Sequence, residues 1–262
     1  MDTVTVGEFL ALACAAVLVG FAKTAVGGAG TVALAVFAAV LPARESTGVL
    51  LPLLLTADLI AVRAYRGHTH WPTLLRLFPA VVAGVVAGTL FLAHADDRAV
   101  RTSIGTILLL MLAVTLAGRR SRAAPPGGAA ETPAASPGVP AATGRVRTGA
   151  YGLLGGFTTM VANAGGPVLS LYLLSARFRA LGFLATSAWF FLVVNAAKVP
   201  FSVGLGLIDR QSLLLDAALV GFVLPGAALG RRCAGRIDQR LFERLVLAAT
   251  ALGALHLLAP VG

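Results

Sequence analysis

The fold class this chain predicts is an all-α, polytopic membrane protein. It should consist of two inverted repeats, each a glycine-broken re-entrant helix pair followed by three transmembrane helices. Three observations predict it. Apolar residues make up 58% of the 262 and charged residues 12%, a balance foreign to water-soluble domains of this length. The apolar residues fall into ten runs separated by short basic or glycine-rich gaps. Between the fifth and sixth runs lies "GRRSRAAPPGGAAETPAASPGVPAATGRVR" at 118–147. It is rich in Pro, Ala and Gly without periodicity, so it reads as a disordered linker. The first repeat is then 1–117 and the second 148–262.

The first run, 8–22, has no basic region before it and no small-residue cleavage site after it, and reads as a retained membrane segment rather than a signal peptide. It leads into "GFAKTAVGGAGTVAL" (20–34), where Lys23 stands inside apolar sequence and Gly27, Gly28 and Gly30 interrupt it before the run 28–41. A crossing helix needs roughly 20 residues, at about 1.5 Å each, to span about 30 Å of hydrocarbon. Both runs fall short, so they form a pair around a break. The runs 47–62, 77–93 and 100–117 follow as crossings. After the linker the pattern returns. Runs 149–162 and 166–176 are short and are separated at Asn163, Gly165 and Gly166, with Pro167 as the first residue of the next helix, where its missing N–H costs nothing. Runs 181–203, 211–229 and 241–258 complete the chain.

Arginine placement chooses how each short pair is threaded. If each pair returns to its own side, the basic gaps beginning after 62, 117, 176 and 230 share one face. The other face receives Arg44, Arg98, Arg101 and Arg210, mixed with Glu45, Asp96, Asp97 and Asp209. Threading each pair as one crossing would put the arginines after 230 outside, against the positive-inside rule. The hairpin threading places both termini outside and the linker in the cytoplasm. Five segments per half is odd, so the halves enter the membrane from opposite sides. They can also be overlaid. "GFAKTAVGGAGTVAL" lies on "GFTTMVANAGGPVLS" (156–170) without gaps, and "LLLTADLIA" lies on "FLVVNAAK", pairing Asp58 with Asn195. "GVVAGTLFLAHADDR" lies on "GAALGRRCAGRIDQR", pairing Gly84 and Gly88 with Gly226 and Gly230, and Asp96 with Asp238.

Breaking a helix in lipid strands backbone polar groups, which is tolerable only beside protein or water. The N–H groups that open the second half-helix carry partial positive charge, and in many secondary transporters such ends hold an anion. Lys23 with Gly27, Gly28 and Gly30 would form one half of an anion site, and Asn163, Gly165, Gly166 and Pro167 the other. Lys23 and Lys198 are the only lysines, both inside apolar runs. Lys198 shares a helical face with Asn195 and, at a cost of about 3 kcal/mol in mid-bilayer, needs a partner. An anion or Asp58 would serve. Asp58 is also the candidate coupling group.

Plainer readings stand beside these. Either lysine could snorkel to the headgroups, and Asp58 could merely neutralise a lysine or Arg63. Gly84/Gly88 and Gly226/Gly230 have the spacing of close helix packing. His68 and His70 flank Thr69 without a further metal ligand nearby and read as interfacial. Trp189, Phe190 and Phe191 read as lipid-facing or packing surface. Cys14 and Cys233 read as free packing residues. The net charge of +10 sits in the gaps between apolar runs, which favours a bilayer over nucleic acid. Nucleotide-binding loops and cofactor motifs are absent. An intramembrane enzyme would have to work with Asp58, Asp216, His256 and Cys14, which share no recognised spacing.

The succession "GFAKTAVGGAG", "ADLIAVRAYRGHTHW", "NAGGPVLSLYLL", "VNAAKVPFSVGLGLID" and "PGAALGRRCAGRIDQRLFERLV" resembles the sulfite exporter TauE/SafE family, also called the 4-toluene sulfonate uptake permease family. It spans nearly all of the chain outside the linker. One departure is "GGAGT", where many relatives carry a proline after the glycines. The resemblance implies a permease of the bacterial cytoplasmic membrane for sulfur-containing anions such as sulfite, sulfoacetate and other organosulfonates. The residues themselves specify only a small anion carried by alternating access, with a channel as the alternative.

Overall fold

The computed structural model describes residues 5–24, 29–123, 145–175, 178, 180–233 and 239–259. Ten α-helices and one short 3-10 turn, and no strand, are present among them. The helices are α1 (Val6–Thr24), α2 (Ala29–Val40), α3 (Ala43–Tyr65), α4 (Trp71–His94), α5 (Asp97–Ala123), α6 (Arg145–Ala162), α7 (Gly166–Ser175), α8 (Ala180–Gly204), α9 (Arg210–Cys233) and α10 (Gln239–Leu258). Each corresponds to one of the ten apolar runs. Helix α5 continues to Ala123 and α6 starts at Arg145, while 124–144 of the expected linker lies outside the described residues. Gly27, Gly28 and Asp238 do as well.

Among the described residues five helices are long and apolar enough to cross a membrane: α1, α3, α4, and the bulk of α8 and α9. Each of them points leucine, valine or phenylalanine side chains outward, including Leu10, Leu59, Leu75, Leu90, Phe201 and Leu214. Apolar surface of this extent belongs against lipid. The expectation that both members of each broken pair are short needs correcting. Helix α1 has 19 residues and α6 has 18, against 12 in α2 and 10 in α7. The apolar run understates α1 because its ends are held by polar groups. Thr5 and Glu8 form a capping box at the start, and at the other end Tyr65 Oη donates to the Thr24 carbonyl at 2.9 Å.

Acidic residues at one end of the bundle have a structural use. Asp96 accepts from the Ala99 N–H at 2.7 Å and caps α5, and Asp209 accepts from the Ser212 N–H at 2.6 Å and caps α9. The Ser212 amide holds the Asp209 carboxyl below the usual carboxylate range. At this same end Arg44 bonds Asp97 and the Ala95 carbonyl, and Arg101 bonds the carbonyls of His256 and Leu257. The close of α10 therefore lies beside the first turns of α5. At the opposite end His70 bonds Thr186 and packs on Phe178, while Trp71 meets Trp189.

Two helix pairings dominate the packing, α1 with α9 and α4 with α6. Both depend on glycines that leave no room for a methyl group. A Cβ on Gly20 would strike the Val223 carbonyl and the Ala227 nitrogen, and one on Gly156 would strike the Val81 carbonyl and the Val85 nitrogen. Gly226 meets Val17 as Gly84 meets Leu153, and Gly230 meets Phe21 and Thr24 as Gly88 meets Phe157 and Met160. Under the overlay of the two halves, these glycine contacts in one pairing map onto their counterparts in the other. The glycine pairs are packing residues.

Candidate anion site between the helix breaks

The second break is held by local backbone chemistry. Asn163 takes the left-handed conformation at φ 50°, which asparagine tolerates better than most residues. Its N–H reaches the Thr159 carbonyl, and the Ala164 N–H reaches that of Thr158. Gly165 then accepts the first bond of α7, from the Leu169 N–H at 3.0 Å. Only glycine fits there, because a Cβ would collide with the Thr159 hydroxyl. Helix α7 opens one residue earlier than expected, at Gly166, with Pro167 in its first turn. A Cβ on Gly166 would meet no atom within 4 Å, so open space adjoins this helix start. At the first break, Gly30 lies in the first turn of α2, with Ala22 Cβ 3.9 Å from where its own would stand.

The two breaks are tied to opposite ends of α3. Thr24, before the first break, bonds Tyr65, the last residue of α3. Asn163, at the second, donates from Nδ2 to the carbonyl of Thr47, in the second turn of α3, at 3.1 Å. Between them runs a chain of buried polar side chains. Asp58, fully buried, pairs with Lys23 at 2.7 Å through Oδ1 and accepts from Asn195 Nδ2 at 2.7 Å through Oδ2. The overlay matches Asp58 with Asn195, so a matched pair of positions touches where α3 meets α8. Lys23 also lies 3.9 Å from the centre of the Phe191 ring, a cation–π contact.

Lys198 is 1% exposed. Its Nζ donates to the Thr159 carbonyl at 2.7 Å and to Asn163 Oδ1. Two of the alternatives left open by the sequence are decided here. Neither lysine snorkels: both turn inward, because protein acceptors wait there. Asp58 pairs with Lys23 and not with Lys198, whose acceptors come from the second break. The structure thus joins Lys23, Asp58 and Asn195 in one cluster and Lys198 and Asn163 in a second, one helical turn along α8. Gly30 lies in the first turn of α2, and Gly166 and Pro167 lie in that of α7.

Several participants were not singled out from sequence. Phe191 was read as surface or packing. Tyr65, Thr24 and Thr47 carried no signal beyond being polar in apolar surroundings. Thr159 did carry one, since the gapless overlay sets it opposite Lys23. Asp216 is 3% exposed, with neither carboxylate oxygen hydrogen-bonded among the described residues. Cys14 is a free thiol on the outer surface of the bundle and not a packing residue.

A family model, described as Sulfite exporter TauE/SafE, matches residues 12–257. The chain belongs to the sulfite exporter TauE/SafE family. This TauE/SafE match covers both broken helix pairs and the polar chain between them, and the family is one of transporters. Comparison with curated proteins and with solved structures returned no match.

Proposed function

We propose that this TauE/SafE protein is a permease that carries a small anion, sulfite or an organosulfonate, outward across the bacterial cytoplasmic membrane by alternating access. The observation that carries the reading is the pair of lysines buried beside two helix breaks. Lys23 is held by a carboxylate that an incoming oxyanion can replace. Among the described residues Lys198 is held by two neutral acceptors, one of them Asn163 at the second break. Thr159 adds a buried hydroxyl with no hydrogen-bond partner among the described residues, a spare donor for an oxyanion. The first-turn N–H groups of α7 lack intrahelical acceptors and point the same partial charge at the space beside Gly166.

The two halves act as inverted repeats, a reading supported by the matching glycine contacts at α1–α9 and α4–α6. Rocking of one half against the other about the α3–α8 contact would open the polar chain to each side in turn. An inside-negative potential expels a lone anion with about 2.3 kcal/mol per charge per 100 mV. Asp58 serves as a resident stand-in for the substrate's negative charge, keeping Lys23 neutralised between cycles.

Saturable sulfite flux in proteoliposomes is expected to fall at least tenfold in Lys23→Ala, and to fall similarly in Gly166→Val, whose added Cβ has no atom within 4 Å. Native-like folding with undiminished flux in Gly166→Val would move the site away from α7. The basic gaps define the cytoplasmic face, so a reporter fused after Gly262 is expected to be periplasmic. A cytoplasmic signal would reverse the assigned orientation.

A further inference from the structure

Resting on the permease reading, we propose that Lys198 carries the coupling proton: it is a neutral amine in the empty carrier and becomes an ammonium only when a monoanion arrives beside it, so that anion and proton cross together. The donor count at Nζ carries the inference. A neutral amine has two N–H donors and a lone pair, whereas an ammonium has three donors and no acceptor. Lys198 makes two hydrogen bonds, to the Thr159 carbonyl and to Asn163 Oδ1. No third acceptor and no carboxylate partner appears among the described residues, although the side chain is 1% exposed. A buried ammonium without a counter-ion is strongly disfavoured.

The charged groups of the neighbouring cluster, around Asn195 one turn back along α8, are Lys23 on α1 and Asp58 on α3. Helix α8 packs on α3, α4, α7 and the turn Arg66–His68. Asp58 is committed at both oxygens, to Lys23 and to Asn195, and Lys23 repels a second cation. The contrast with Lys23 is instructive. Lys23 has a carboxylate at 2.7 Å, an aromatic face and 17% exposure, so its positive charge is provided for. At Lys198 no counter-ion stands among the described residues, and the cargo supplies it.

The step balances in charge and atoms. The amine takes one proton from the side that is open, the anion X⁻ pairs with the resulting ammonium, and both leave on the other side. A monoanion such as bisulfite or a sulfonate makes this loaded site neutral relative to the empty one. A dianion leaves one negative charge buried and is excluded. Because the cargo with its proton is neutral, the membrane potential no longer assists export, and net direction follows the combined anion and proton gradients.

The test uses the full chain in proteoliposomes containing a trapped pH dye, with labelled methanesulfonate and bisulfite as separate probes. Methanesulfonate stays a monoanion throughout the working range. Uptake is expected to acidify the lumen, to be driven by an acid-outside step, and to ignore a potential set with potassium and valinomycin. In Lys198→Arg, charged throughout, the response to the pH step is expected to vanish and any residual flux to follow voltage. Wild-type flux that is saturable, voltage-driven and without lumen acidification overturns the proposal while the permease reading stands. Retained pH-driven, voltage-independent flux in Lys198→Arg assigns the proton to another group and also overturns it. Absence of saturable flux for both probes in wild type overturns both readings. The wild-type measurements decide even if the arginine variant fails to fold.

Discussion

Asp58→Ala is expected to destabilise the protein by about 3–5 kcal/mol, the cost typical of removing one member of a buried ion pair. The substitution leaves Lys23 with the Phe191 ring as its one remaining partner among the described residues, and leaves the Asn195 amide without its acceptor. Asp58 is 0% exposed, so water cannot replace it without opening the contact between α3 and α8. A double variant, Asp58→Leu with Lys23→Met, removes both charges and is expected to recover most of the loss, because apolar replacements of buried pairs are often neutral. Thermal unfolding of the purified protein in detergent, read as a double-mutant cycle, checks both expectations. An Asp58→Ala protein that unfolds at the wild-type temperature would mean that the Lys23 pair does not hold the bundle together.

The second large effect falls on the packing glycines. Gly20→Ala and Gly156→Ala each place a methyl group against a backbone carbonyl of the neighbouring helix, Val223 in one case and Val81 in the other. A backbone carbonyl cannot rotate aside as a side chain can, so the two helices must separate. Overpacking typically costs about 1–3 kcal/mol, occasionally more, and the two substitutions are expected to cost similar amounts because their contacts correspond. Gly7→Ala and Gly149→Ala serve as controls. Nothing lies within 4 Å of either added methyl, so both should stay within about 0.5 kcal/mol of wild type. Yield of the monodisperse peak on size exclusion, with the unfolding midpoint, reads the difference. Equal behaviour of Gly20→Ala and the Gly7→Ala control would contradict the close α1–α9 approach.

Much of the fold was legible because membrane helices are written locally. Asn163, Gly165 and Pro167 announce a break wherever they occur together in an apolar run, since asparagine tolerates the left-handed turn and proline suits a first helical turn. The true length of α1 was less legible. It depends on Tyr65, 41 residues away, reaching the Thr24 carbonyl. The candidate site was legible in its charged members and not in its pairing. Lys198 and Asn195, neighbours on one face, turn to different partners.

The amino-acid sequence by itself determined the number and order of the described helices, the position of the break at 163–165 and the separation of arginine-rich from acidic gaps. Each follows from hydropathy, helix length or the conformational range of a few adjacent residues. Only the tertiary structure decided which lysine Asp58 neutralises and that Lys198 has no counter-ion among the described residues. Asp58 and Asn195 are 137 residues apart, and Lys198 finds its acceptors 39 and 35 residues back along the chain. No local pattern records such meetings, because the distance between two charges is set by how α1, α3, α6 and α8 pack around one another, not by the residues beside each charge.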